Sequence, residues 1–66
     1  MKNTVRVERA ILDITQQQLA DAISVSRNTI NSIESGKYVP STVLALKIAR
    51  YFGKPTDSIF TLDEND

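Results

Sequence analysis

Four polar side chains, Arg27, Asn28, Asn31 and Ser32, fall at spacings that line them along one edge of a helix, with no core role open to any of them. Arginine presents two parallel donors and asparagine a donor beside an acceptor. These patterns match the edges of guanine and adenine exposed in the major groove of B-DNA. The chemistry within reach of these residues is therefore recognition rather than reaction. Arg27 and Asn28 open the helix and are the leading candidates for base reading, with Asn31 and Ser32 following one turn on. The competing interpretation is an ordinary solvated helix face, where these residue types are common. Reactive chemistry has little to build on, because the 66 residues contain no cysteine and no histidine. A disulfide, a thiolate or imidazole metal site and a histidine base are all excluded. No nucleophile with an adjacent base and no paired carboxylates can be assembled either. An enzyme is not expected, nor a cofactor, a metal or a small-molecule ligand.

The edge must be carried by the stretch Thr15 to Gly36, TQQQLADAISVSRNTINSIESG, which encodes two short helices joined by a tight turn. Leu19, Ala20, Ile23, Val25, Ile30 and Ile33 are spaced so that both helices bury one side against common neighbours. Thr15 with Gln18 three residues later forms a capping box, which starts the first helix at Gln16. Ser26 caps the second helix, expected from Arg27 to Ser35, and Gly36 can take the positive φ that ends it. Ala22 to Ser26 is long enough only for a turn, so the pair, spanning 16 to 35, reads as a helix-turn-helix. Ser24 stands where such a turn usually has glycine.

The longer string TQQQLADAISVSRNTINSIESGKYVPS resembles the helix-turn-helix of the lambda repressor and Cro type. It is most similar to the stand-alone single-domain bacterial transcriptional regulators of that family, and the likeness runs from about Val5 to Phe60. The resemblance implies an all-α, five-helix DNA-binding bundle reading double-stranded DNA. Arg27 and Asn28 match the family's principal reading positions and Ser32 a third, although many relatives carry glutamine at the place of Asn28. Gln16 matches a phosphate-contacting glutamine. Arg9 and Glu34 match a structural ion pair that ties the first helix to the end of the recognition helix.

Around the motif, Val7, Ala10, Ile11 and Ile14 read as the buried stripe of a helix, placed over Val5 to Leu12, although Thr4 to Val7 alternate equally well as a short strand. The family's usual apolar residue is replaced there by Glu8. KYVPS is a loop because Pro40 lacks an amide donor and biases Val39 away from the helical region. Ser41 caps a helix over Thr42 to Phe52, whose Val43, Leu44, Leu46, Ile48, Ala49 and Phe52 make it the most buried of the set, with Lys47, Arg50 and Lys54 outside. Gly53 stops it, and Pro55 leads into a short helix over Thr56 to Phe60. Thr61 and Leu62 are either a strand or the start of a frayed acidic tail. The resemblance adds a small sheet built from the two chain ends.

Phosphate contacts, which set register without reading sequence, are expected from Gln16 and Gln17 on one flank. Thr29, Lys37, Tyr38, Ser41 and Thr42 supply the other, with Tyr38 equally readable as a ring packed over the loop. The formal net charge is zero. Its distribution is uneven: residues 1 to 54 carry all eight basic groups against Glu8, Asp13, Asp21 and Glu34, whereas residues 55 to 66 carry only acids. One domain this small has a thin stability margin. A single motif also covers few base pairs, so a twofold homodimer is expected, with Ile59, Phe60 and Leu62 as contact candidates. Ile59 reads equally as core. No run approaches the roughly 20 apolar residues of a membrane span, and a cytoplasmic protein is expected. The reading is a homodimeric repressor acting at a twofold-symmetric operator. The alternative is an antitoxin or other module that uses the same fold to dock a protein.

Overall fold

The computed structural model describes all residues from Met1 to Asp66. Its elements run β1 (Lys2–Asn3), α1 (Val5–Leu12), α2 (Gln16–Ala22), α3 (Arg27–Glu34), α4 (Thr42–Phe52), α5 (Thr56–Ile59) and β2 (Phe60–Thr61). The strands pair antiparallel, Lys2 opposite Thr61 and Asn3 opposite Phe60, so the two chain ends close the bundle. No helix is long and apolar enough to cross a membrane.

Local signals explain most boundaries. The Thr15 side chain accepts from the Gln18 amide while the Gln18 side chain accepts from the Thr15 amide, and the Ser26 and Ser41 side chains cap α3 and α4 by accepting from the Thr29 and Leu44 amides. Gly53 ends α4 at φ 68 and Gly36 follows α3 at φ 80, conformations that cost a residue with a Cβ about 1 kcal/mol or more. Ser24 adopts φ 61 in the α2–α3 turn and Asp13 φ 55 after α1, so two non-glycine residues carry this strain. Three ends differ from expectation. α3 stops at Glu34, with Ser35 as its cap, because the chain folds back just beyond it. α5 stops at Ile59, because Phe60 turns extended to pair with Asn3. The strand is accordingly Phe60–Thr61, and Leu62 lies outside it.

Eleven residues make the core: Val5, Leu19, Ala20, Ile23, Ile30, Ile33, Leu44, Ile48, Ala49, Ile59 and Phe60. Each large aliphatic side chain buried there contributes about 1.5–3 kcal/mol, so a cluster this small depends on every member. Ile59 and Phe60 are 1% and 6% exposed within the chain itself. That corrects their candidacy as dimer contacts, since the turn from α5 into β2 spends them on closing the core. Leu62 is 77% exposed and remains open to a partner.

α1 is rotated relative to the expected stripe. Val5 and Glu8 face inward, whereas Val7 and Ile11 are more than half exposed and Ala10 is exposed. Polar anchors outweigh the apolar period here. Lys54 Nζ donates to Glu8 Oε2 at 2.9 Å, Arg9 reaches Glu34, and the Thr4 amide donates to the Ile59 carbonyl at 3.0 Å. Lys54 is therefore bonded into the structure rather than purely solvated. α4 also buries less than its composition suggests, with Val43 and Leu46 outside and Leu44, Ile48 and Ala49 inside.

Removing one partner of a bonded, largely buried carboxylate leaves an uncompensated charge, while replacing that carboxylate with an apolar group does not. Lys54→Ala should lower unfolding free energy by about 1 to 3 kcal/mol, and Glu8→Leu by clearly less. Urea denaturation of the two variants checks this. Equal losses would show that leaving the Glu8 carboxylate unpaired carries no extra penalty.

Candidate nucleic-acid interface

α3 presents one side to the core through Ile30 and Ile33 and the other to solvent through Arg27, Asn28 and Asn31. Ser32 is half-buried at the margin of the exposed edge. Its carbonyl gathers three donors: the Lys37 amide at 2.9 Å, the Tyr38 amide at 3.2 Å and the Ser35 hydroxyl at 3.2 Å. The loop after α3 is thereby folded back along the helix it leaves. Tyr38 joins Asn28, Thr29 and Ser32 around a shallow open depression of about 340 Å³. Lys37, Ser41 and Thr42 are exposed. The Ser41 hydroxyl accepts from the Leu44 amide at 3.2 Å and keeps its own proton to donate.

The residues assigned to phosphate on the other flank are more constrained. Gln17 Nε2 donates to Asp21 Oδ1 at 2.8 Å, which leaves one amide hydrogen free. Gln16 Nε2 donates to Glu34 Oε1 at 3.2 Å and to Asn31 Oδ1 at 3.3 Å, which commits both hydrogens. Only an acceptor remains on that side chain. The amide expected at a phosphate thus bonds inside the motif in this structure. The Thr29 hydroxyl shares a 2.9 Å bond with the Ser26 hydroxyl, so only one of its two bonding directions faces outward.

Behind this face sits Glu34, whose side chain is fully buried. Arg9 binds it bidentately, Nε to Oε2 at 2.7 Å and Nη2 to Oε1 at 3.1 Å, and Arg9 Nη1 continues to the Ile14 carbonyl at 2.9 Å. Arg6 Nε adds a 3.5 Å contact. Burial alone pushes the Glu34 carboxyl up, but the bonds from Arg9, Gln16 and Arg6 outweigh it and hold the group below the ordinary carboxylate value. The hydrogen bond to Glu34 raises Arg9 in turn.

Two residues that sequence reasoning passed over belong to the same scaffold. Asn3 Nδ2 donates to the Ile33 carbonyl at 2.9 Å and its Oδ1 accepts from the Val5 amide at 3.1 Å, joining the start of α1 to the end of α3. A lone asparagine in a two-residue strand carries no sequence signal of such a bridge. Arg6 had one in retrospect, because it lies three residues before Arg9 on the same helix face.

A rigid pair of short helices, the second with an exposed polar edge and a basic loop tied beside it, defines a helix-turn-helix domain of the DNA-binding transcription-regulator class. The family model described as helix-turn-helix matches residues 5–59. The chain belongs to that family, which is of the lambda repressor/Cro type, and it is not an enzyme. It is similar to an uncharacterised HTH-type transcriptional regulator of Methanocaldococcus jannaschii, 46% identical over 66 residues covering all of both chains. A second uncharacterised HTH-type transcriptional regulator, from Bacillus subtilis, is 41% identical over 66 residues, again covering all of both chains. The transcriptional repressor RstR of the cryptic phage CTXphi, from Vibrio cholerae, is 34% identical over 65 residues, covering 91% of this chain and 56% of RstR.

The lowered carboxyl of Glu34 makes a pH prediction. Its folded value lies below the unfolded one of about 4.3, so its contribution to stability is complete above that pH and is lost as pH falls through the folded value. Glu34→Gln should give a shallower acid limb than the parent chain when urea midpoints are followed from pH 7 to pH 3. Asp63, lowered by its bond from the amino terminus, and Asp66, lowered by the Asp63 amide, supply the slope that remains.

Proposed function

We propose that the chain is one helix-turn-helix domain over residues 1–66 that acts as a homodimeric, sequence-specific regulator on double-stranded DNA in the cytoplasm. It represses by occupying a promoter. The observation that carries this reading is the exposed edge Arg27, Asn28 and Asn31 on a helix whose opposite side is locked into the core. α3 enters the major groove N-terminus first, with Arg27 and Asn28 reading bases and Asn31 and Ser32 one turn behind. Lys37, Tyr38, Ser41, Thr42 and Thr29 hold phosphates on one side and Gln17 on the other, which fixes register without selecting sequence.

Two copies reading half-sites roughly 34 Å apart would supply the selectivity that one short helix lacks. Leu62, exposed at the end of the terminal sheet, is the residue we place at the contact. Bound sequences selected from a random DNA pool test the whole reading, with a twofold-symmetric winner expected. Absence of any selected sequence, together with recovery of one tightly bound polypeptide, would transfer the fold to protein docking.

Two substitutions separate base reading from phosphate binding. Arg27→Ala should weaken binding to the selected site by about 1 to 3 kcal/mol and relax preference at one base pair. An equal loss on random DNA would make Arg27 a phosphate contact. Lys37→Ala should weaken binding to all sequences alike and reduce the slope of log affinity against log salt by about one. Titrations at several salt concentrations give both slopes, and an unaltered slope removes Lys37 from the interface.

A further inference from the structure

The amide of a glutamine or asparagine can face either way, and its neighbours decide which. Glu34 decides it for Gln16. A buried carboxylate accepts only, so the atom of Gln16 at 3.2 Å from Glu34 Oε1 has to be the nitrogen. That nitrogen has a second hydrogen, directed at Asn31 3.3 Å away. A donor requires an acceptor opposite, and the Asn31 atom facing Gln16 is accordingly Oδ1. Arg9 in its turn holds Glu34 in place by two bonds. A chain of one-way bonds therefore runs from Arg9 through Glu34 and Gln16 to the exposed edge of α3. It ends by turning the Asn31 NH2 group outward and its oxygen inward.

We infer that Asn31 is a donor-only reader, locked by Gln16, that selects guanine at its base pair and discriminates against adenine. This deepens the DNA-reading role proposed above and rests on it. A free asparagine pairs with adenine by donating to N7 while accepting from N6. The Asn31 oxygen has a second lone pair, but it is held on the Gln16 side, so the group aimed at the base is the NH2. Its two outward hydrogens face an acceptor and a donor on adenine, but two adjacent acceptors, O6 and N7, on guanine. Gln16 is thus a positioning residue, and Asn31 a specificity-determining one whose preference is the reverse of what its residue type suggests.

The test uses the site selected by the full chain and begins with the base pair whose preference disappears in Asn31→Ala. At that pair the parent chain should favour guanine over adenine by about tenfold, the scale of one good base contact. Replacing that guanine with 7-deazaguanine, which lacks N7, should remove most of the advantage. Gln16→Met, similar in length but unable to bond, should bring guanine and adenine within about threefold, because the freed amide can turn to pair with adenine. Asn31→Asp, at an exposed position, keeps an oxygen towards Gln16 and turns a second oxygen outward. It should move the preference to a base offering a donor, cytosine or adenine. Adenine preferred by the parent chain, a guanine preference that survives both Gln16→Met and Asn31→Asp, or no change at any base pair in Asn31→Ala would each overturn the inference. Failure of the parent chain to select any sequence would instead remove the DNA-reading role beneath it.

Discussion

A carboxylate with no exposed surface is the constraint on which the motif turns. Taking Glu34 out of water costs several kcal/mol unless donors replace the lost hydration. The replacements come from two elements: Arg9 and Arg6 from α1 and Gln16 from the first residue of α2. Any arrangement of helices that fails to bring these donors to the end of α3 is penalised by the uncompensated charge. The pair therefore selects geometry more than it adds net stability, since an apolar replacement of matching shape would avoid the desolvation altogether. What it secures is the angle at which the exposed edge of α3 leaves the body.

The same end of the helix shows a second form of this economy. A helix leaves its last carbonyls without internal partners, and here those of α3 serve as attachment points for other segments. The Asn31 carbonyl takes the Ser35 amide, the Ser32 carbonyl takes the Lys37 and Tyr38 amides, and the Ile33 carbonyl takes the Gly36 amide and the Asn3 side chain. The basic loop and the terminal sheet are thus fastened to α3 rather than merely adjacent to it. A change at either chain end is felt at the recognition helix through Asn3, although neither strand lies near the exposed edge in sequence.

Helix positions were legible wherever a cap and a stop residue bracket an apolar period. Thr15, Ser26, Ser41 and Gly53 mark their boundaries through side-chain bonds or backbone freedom that need no tertiary partner. Rotation was less legible, because it depends on contacts distant in sequence. The stripe Val7, Ile11 and Ile14 satisfies the helical period, yet the bonds of Glu8 to Lys54 and of Arg9 to Glu34 turn α1 so that Val7 and Ile11 face outward. The same holds for α4, where Val43 and Leu46 lie on the side that no neighbour covers. For the candidate interface, residue types and their placement on one edge could be read directly. The Gln16 bonds could not, since a glutamine opening a helix looks alike whether its amide faces solvent or a buried acid 18 residues away.

These features divide the motif into a face that can vary and a scaffold that cannot. Arg27 and Asn28 are exposed and bond to no other side chain, so substitution there has small effect on the fold. Glu34, Arg9 and Asn3 have the opposite character, because each satisfies groups on at least two elements. Asn31 and Gln16 fall between the two sets: both lie on the surface of the motif, yet their orientation follows from the buried acid. On the DNA-reading role proposed above, recognition is therefore not confined to the exposed edge. In that role, part of what the helix could say to a base would be set by a carboxylate that never meets solvent, a coupling that follows from the direction of hydrogen bonds rather than from shape.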